Sequence, residues 1–259
     1  MCIIVVKCKG SDFAPKEVIA RCMETNPHGF SIAWNSGGKV NTFRTMNPSE
    51  MLTRYEQLVA ELNPAETAML FHARIKSNGS IRIENTHCYT NADQSLAFCH
   101  NGILSNIKDR DDLTDSETFF RDFFLPAYEG ISPTFAFKMS KAMICHSNNK
   151  FAFLNKDGEV TFVTGLNQFS KEQFPGLRGK IYFSNGSWKP TLSYGLGFNP
   201  YSDVRHKPEE AKPSVAFSTA LPPVGERHKA SPAKALAITI PANSERFYQQ
   251  RMDELFAPK

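Results

Sequence analysis

Met1-Cys2-Ile3-Ile4-Val5-Val6-Lys7-Cys8, residues 1–8, is an apolar run with a cysteine directly behind the initiator methionine. Isoleucine and valine at this density favour a strand, expected over about 2–8. Two readings of Cys2 stand side by side. As the first residue of a buried strand it is one more small apolar group. If Met1 is removed, the same residue carries a thiol and a free α-amine on one carbon. An α-amine with a reference pKa of about 7.7–8.0 can take the thiol proton near neutral pH, and the thiolate is the reactive form of cysteine. Nucleophile and base would then sit in one residue.

Three further segments look like partners for such a nucleophile: FHARIKSNG at 71–79, FCHNGIL at 98–104 and LTDSETFF at 113–120. In the second, Asn101-Gly102 follows a short apolar strand, Ser95 to Cys99. Its side-chain amide and backbone N–H could converge on one oxygen as an oxyanion hole; the competing reading is a two-residue hairpin turn. Arg74 lies within the strand-like run Met69–Ile75, near its mouth, where a guanidinium suits bidentate capture of a carboxylate, or is simply a solvated strand-end charge. Asp115 opens an amphipathic helix and reads either as an N-cap or first-turn acid or as a ligand group. Phe119, Phe120, Phe123 and Phe124 follow it at helical spacing and are expected in the core.

In this order the segments resemble the glutaminase domain of class II glutamine amidotransferases, which are N-terminal nucleophile (Ntn) hydrolases. The resemblance is carried by Met1-Cys2, Asn26-Pro27-His28-Gly29-Phe30-Ser31-Ile32-Ala33-Trp34, His72-Ala73-Arg74, Asn85-Thr86-His87, His100-Asn101-Gly102-Ile103-Leu104 and Asp115-Ser116-Glu117, over about 190 residues. It implies an α+β fold, a four-layer αββα sandwich of two antiparallel sheets between helix layers. It also implies Cys2 as nucleophile, Asn101 and Gly102 as oxyanion hole, Arg74 on the α-carboxylate of glutamine and Asp115 on its α-ammonium. Ser77, Asn78 and His87 complete the expected substrate contacts. Ile75 and Asn78 depart from the family, which often has an aromatic residue and a histidine there. The expected activity is release of ammonia from glutamine through a γ-glutamyl thioester, either alone or as the ammonia-supplying subunit of a separate synthase. Two other readings are a hydrolase of another γ-glutamyl or amide compound, and a catalytically silent binding module of the same fold.

Thirty basic and 26 acidic residues leave a net charge of +4 without a block of like charge, so neither nucleic acid nor a membrane surface is an expected partner. Cysteines at 2, 8, 22, 88, 99 and 145 show no C-x-x-C spacing, which argues against zinc and against a disulfide framework; no metal and no cofactor are expected. Cys99-His100 and Cys145-His146 are read as structural, because neighbours on a strand point to opposite faces. With no secretory pattern and no stretch of spanning length, a cytoplasmic setting is expected.

Helices are expected at Pro15–Met23, Pro48–Leu62, Asp115–Tyr128 and Pro133–Cys145. The second should present Met51, Leu52, Tyr55, Leu58, Val59 and Leu62 on one face. A hairpin is expected around Asn35-Ser36-Gly37-Gly38, and strands at Phe151–Leu154, Glu159–Val163 and Lys180–Ser184. The catalytic domain is placed at 1–189. Residues 190–259 hold nine of the sixteen prolines and read as an extended or disordered tail with a possible short helix at 244–256.

Overall fold

Residues 1–77, 79–107 and 113–190 are described by a computed structural model; Asn78 and, apart from Pro190, the expected tail with its helix at 244–256 lie outside the described residues. Two antiparallel sheets organise the described chain. Sheet A runs β3-β2-β4-β1-β10-β9, with β1 Ile3–Lys7, β2 Phe30–Ser36, β3 Lys39–Thr45, β4 Met69–Ala73, β9 Ser170–Glu172 and β10 Ile181–Phe183. Sheet B runs β5-β6-β7-β8, with β5 Tyr89–Thr90, β6 Leu96–Asn101, β7 Lys150–Asn155 and β8 Val160–Thr164. The helices are α1 Lys16–Thr25, α2 Pro48–Glu61, α3 Asp115–Thr118, α4 Leu125–Gly130 and α5 Pro133–Ile144.

Local chemistry explains where these elements begin and end. Gly37 and Gly38 have φ of 62° and 70°, the backbone that a two-residue turn needs, and they join β2 to β3 with Ser36 opposite Lys39. Asn47 caps α2 through Oδ1, which accepts from the Ser49 and Glu50 amides at 2.9 and 3.4 Å. Of the expected α2 face, Met51, Tyr55 and Leu58 are buried, whereas Val59 is exposed. Between α3 and α4 the helix widens into a π segment, Phe119–Phe124, closed by the Leu125 amide on the Phe120 carbonyl. In this register Phe119 and Phe124, five residues apart, are buried together with Phe120.

The strands' period-two alternation divides the core into three layers. On the outer face of sheet A, Ile3, Val5, Ile32, Phe71 and Phe183 pack against Ile19, Cys22 and Met23 of α1 and Met51, Tyr55 and Leu58 of α2. On the outer face of sheet B, Phe98, Phe151 and Phe153 meet Phe119, Phe120 and Phe124, with ring centroids as close as 4.4 Å between Phe124 and Phe153. Between the sheets lie Ile4, Val6, Ala33, Leu70, Ala97, Cys99, Ala152 and Leu154, residues small enough to let two sheets approach. The result is a four-layer αββα sandwich, two antiparallel sheets between helix layers.

The inner-face alternation turns polar at one end. Reading every second residue gives Val6-Ile4-Cys2 on β1 and its edge, Leu70-His72-Arg74 on β4, Ala97-Cys99-Asn101 on β6, Leu154-Ala152-Lys150 on β7 and Tyr182-Ser184 on β10. Five strands thus deliver Cys2, Arg74, Asn101, Lys150 and Ser184 to the same end of the inter-sheet layer.

Candidate active site

Cys2 and Arg74 come from neighbouring antiparallel strands. The last register pair of β1 and β4 is Ile3↔Ala73, and one further step sets Cys2 across from Arg74. Arg74 is 3% exposed, which rules out a solvated strand-end charge. Its Nη1 donates to the Ser80 carbonyl at 2.9 Å, and the Cys2 Sγ lies 3.5 Å from the Ile75 carbonyl oxygen. Burial pushes the Cys2 thiol up; a backbone hydrogen bond at Ile75, the positive N-terminus and the Arg74 guanidinium oppose that shift. Burial lowers Arg74 itself, against the pull of Cys2, Tyr89 and Asp115.

Asn101 is the last residue of β6 and Gly102 follows at φ 147°. The next strand of sheet B begins only at Lys150, so Asn-Gly here is no hairpin turn. A Cβ on Gly102 would overlap Asn149 Oδ1 and lie 2.7 Å from its Cγ and 2.9 Å from His100 Nε2. Close approach and backbone conformation both require glycine.

Asp115 occupies the first turn of α3 and Thr114 is the N-cap, its Oγ1 accepting from the Glu117 amide at 3.2 Å. The Asp115 carboxylate accepts from the Leu104 amide (2.6 Å) and the Ser116 amide (2.8 Å), and the Ser116 Oγ lies 3.2 Å from the same Oδ1. A carboxylate offers about four acceptor positions, so capacity remains for a ligand cation. Ser116 also meets His100 Nδ1 at 2.7 Å, while His100 Nε2 meets Asn149 Oδ1 at 2.8 Å. Because Asn149 Oδ1 can only accept, Nε2 carries the His100 proton. Asp115, Ser116, His100 and Asn149 therefore form one chain of polar contacts leading back to Gly102.

Three histidine rings stack behind this chain. His72 and His87 lie 4.0 Å apart at 16°, and His87 and His100 6.2 Å apart at 7°. Burial lowers all three: His72 to about 3, His87 well below its ordinary value, and His100 in part, against the Asp115 charge and the Asn149 bond. All three are neutral at pH 7. His87 Nδ1 accepts from the His100 amide at 3.2 Å, which leaves its proton on Nε2.

Cys2, Arg74, Ile75, Ser77, His87, Gly102, Thr114, Asp115 and Ser116 line one cavity of about 10 Å³. That is room for about one water, so a ligand the size of an amino acid requires the walls to part. A roomier hollow of about 610 Å³, lined by residues that include Phe13, Tyr55, Val59 and Leu177, holds none of the predicted site residues. No cluster of three or more metal-binding side chains occurs among the described residues.

The profile of the class II glutamine amidotransferases matches residues 13–164, more than half of the 259 residues. The chain belongs to this family. A Haemophilus influenzae protein named "Putative glutamine amidotransferase" is 33% identical over 101 residues, 36% of this chain and 34% of that protein, so the chain matches about a third of that relative's length. A glutamine aminotransferase class-II domain protein from Silicibacter pomeroyi aligns with 15% identity and a TM-score of 0.42, covering 71% of this chain and 88% of that one. The glutamine phosphoribosylpyrophosphate amidotransferase of B. subtilis aligns with 15% identity and a TM-score of 0.43 over 71% of this chain and 42% of its own. The family profile begins at residue 13, beyond Cys2, and so includes no match at that cysteine.

Of the predicted site residues, Cys2, Arg74, Ser77, His87, Gly102 and Asp115 share the cavity wall. Asn101 sits behind it on the inner face, its Nδ2 2.8 Å from Ser184 Oγ. Asn78 lies outside the described residues. Sequence reasoning passed over Ser116 and Asn149, and also Ser184 and Asn185; Asn185 Nδ2 donates to the Cys2 carbonyl at 2.7 Å. The Ser184-Asn185-Gly186 stop after an apolar strand is the one local feature at that pair, and it names no partner. No helix of the described residues is long and apolar enough to cross a membrane.

Proposed function

We propose that the chain is a glutamine amidohydrolase that releases ammonia through a γ-glutamyl thioester on Cys2. Removal of Met1 frees the Cys2 α-amine, which takes the thiol proton. The sulfur attacks the carboxamide carbon, and the oxyanion is met by the Asn101 amide and the Gly102 N–H, donors typically worth about 3–4 kcal/mol each. The ammonium so formed returns its proton to the departing ammonia. Water then attacks the thioester, the same amine taking its proton, and glutamate leaves.

Arg74 holds the α-carboxylate and Asp115 the α-ammonium, with Ser77, Asn78 and His87 shaping the rest of the pocket. The observation that carries this reading is the convergence of a buried thiol, a buried guanidinium and a carboxylate with spare acceptor capacity on one cavity. Ammonia passes either to water or to a separate synthase subunit, in a reducing cytoplasm that keeps the thiol available. Ile75, an aliphatic residue in the cavity wall, favours a second reading in which another γ-glutamyl amide is the better substrate.

Ammonia release from glutamine by the processed protein, measured against Cys2→Ala, tests the proposal. The wild type is expected to turn over and Cys2→Ala to be inactive while still folded. Ammonia release that survives in Cys2→Ala, or full activity with Met1 retained, overturns the mechanism.

A further inference from the structure

We propose that Ser184 is a positioning residue that sets the oxyanion donor Asn101 against the nucleophile strand; this rests on the reading of Asn101 above. The nucleophile and the donor come from different sheets, Cys2 from the edge of β1 in sheet A and Asn101 from the end of β6 in sheet B. Their separation is therefore fixed by no backbone ladder. Ser184, one residue past β10, closes that gap. Its Oγ accepts from the Ile4 amide at 2.8 Å, its own amide donates to the Ile4 carbonyl at 2.9 Å, and Asn101 Nδ2 lies 2.8 Å from the same Oγ. Lys150, the register partner of Asn101 on β7, donates through Nζ to the Ser184 carbonyl. One buried serine thus ties sheet A, two residues from Cys2, to two strands of sheet B.

The donor count sharpens the role. With Nδ2 on Ser184, the hydroxyl accepts two N–H groups, and Asn101 Oδ1 is buried with no hydrogen-bond partner among the described residues. A buried amide oxygen left unpaired costs free energy, and which end of an amide is nitrogen is decided by its partners. Turning the Asn101 amide by 180° about its last side-chain bond pairs the oxygen with Ser184 and leaves Nδ2 as the open donor. The Ser184 hydroxyl still accepts from Ile4 and now donates to Oδ1, a hydroxyl having one donor and two acceptor positions. Nδ2 is released to donate to a developing oxyanion. Ser184 thereby selects the amide orientation that catalysis needs.

The test is a double-mutant cycle on the processed full chain, with kcat and KM for glutamine, Cys2 alkylation by iodoacetamide, and thermal melts. Ser184→Ala is expected to lower kcat about tenfold to a hundredfold, the scale of a misplaced donor, with KM within about twofold and the alkylation rate near wild type. In an Asn101→Ala background the same change is expected to cost less than about twofold, since a residue acting through Asn101 has nothing left to position. If Ser184→Ala fails to fold, Ser184→Cys, nearly isosteric and a weak hydrogen-bonding group, replaces it in the cycle. A wild-type kcat in the single variant, or a loss that multiplies with that of Asn101→Ala, overturns the assignment. Wild-type protein that releases no ammonia overturns the parent reading and the catalytic role of Ser184 together, whereas an active wild type with an indifferent Ser184 variant overturns this inference alone.

Discussion

Strand β6 holds two kinds of interior three residues apart. Phe98 lies among Phe119, Phe120, Phe151 and Phe153, with ring centroids 4.9–5.5 Å from its own. Asn101, equally buried, ends β6 on the inner face, and its Oδ1, like both ring nitrogens of His72, is buried with no hydrogen-bond partner among the described residues. The phenylalanine layer satisfies every rule of a core and does nothing but hold. The polar end leaves groups unpaired, each at a cost of about 1–3 kcal/mol, and that is where the candidate chemistry collects.

The contrast can be broken at either end. Phe151→Ala opens a cavity in the phenylalanine layer and is expected to cost about 3–5 kcal/mol in urea unfolding, with kcat of the folded fraction within a few-fold of wild type. Asn101→Ala is expected to do the reverse. It should lower kcat by about a hundredfold to a thousandfold, or about 3–4 kcal/mol of barrier, and shift the melting temperature little, because Ser184 keeps its bond to the Ile4 amide when the Asn101 amide is gone. Equal stability losses at the two positions would erase the distinction.

Acid provides a smaller perturbation that acts on the polar end. His72 has a folded pKa of about 3 against an ordinary 6.5, so the unfolded chain takes up a proton that the folded chain refuses. Stability from this group is fully present above pH 6.5 and falls as pH drops from 6.5 toward 3, by up to about 1.4 kcal/mol per pH unit. His87 and His100, also lowered, add to the same slope. Urea melts from pH 7.5 to 5 should show this loss, and His72→Phe, which keeps a ring in the stack without a titrating nitrogen, should flatten it. An unchanged slope would mean that the stack does not exclude protons. The smallest effect is expected away from both regions: Asn47→Ala removes the α2 cap at about 1 kcal/mol without touching kcat.

Much of this architecture was legible because it is written in short periods. The Gly37-Gly38 turn, the α2 stripe of Met51, Tyr55 and Leu58, and the alternation along β1, β4, β6 and β7 are all decided by residues within a few positions of one another. Strands β5 and β9, two and three residues long, are too short to show a period and exist through their partners. Thr114 rather than Asp115 caps α3, a one-residue distinction between two good capping residues. The π segment escaped because phenylalanines at helical spacing suggest an ordinary helix until their common burial is known. In the site, Cys2, Arg74, Asn101, Gly102 and Asp115 could be nominated because each sits in a recognisable local motif. Ser184 and Asn185 could not, since their roles depend on partners 83 and 183 residues away.

The most direct measurement is intact-mass and peptide mapping of the protein before and after reaction with 6-diazo-5-oxo-norleucine, a glutamine-shaped electrophile. The account predicts that Met1 is absent and that a single adduct forms on Cys2, abolished by excess glutamine. A retained Met1, or a processed protein whose Cys2 stays unlabelled while another thiol reacts, would contradict it.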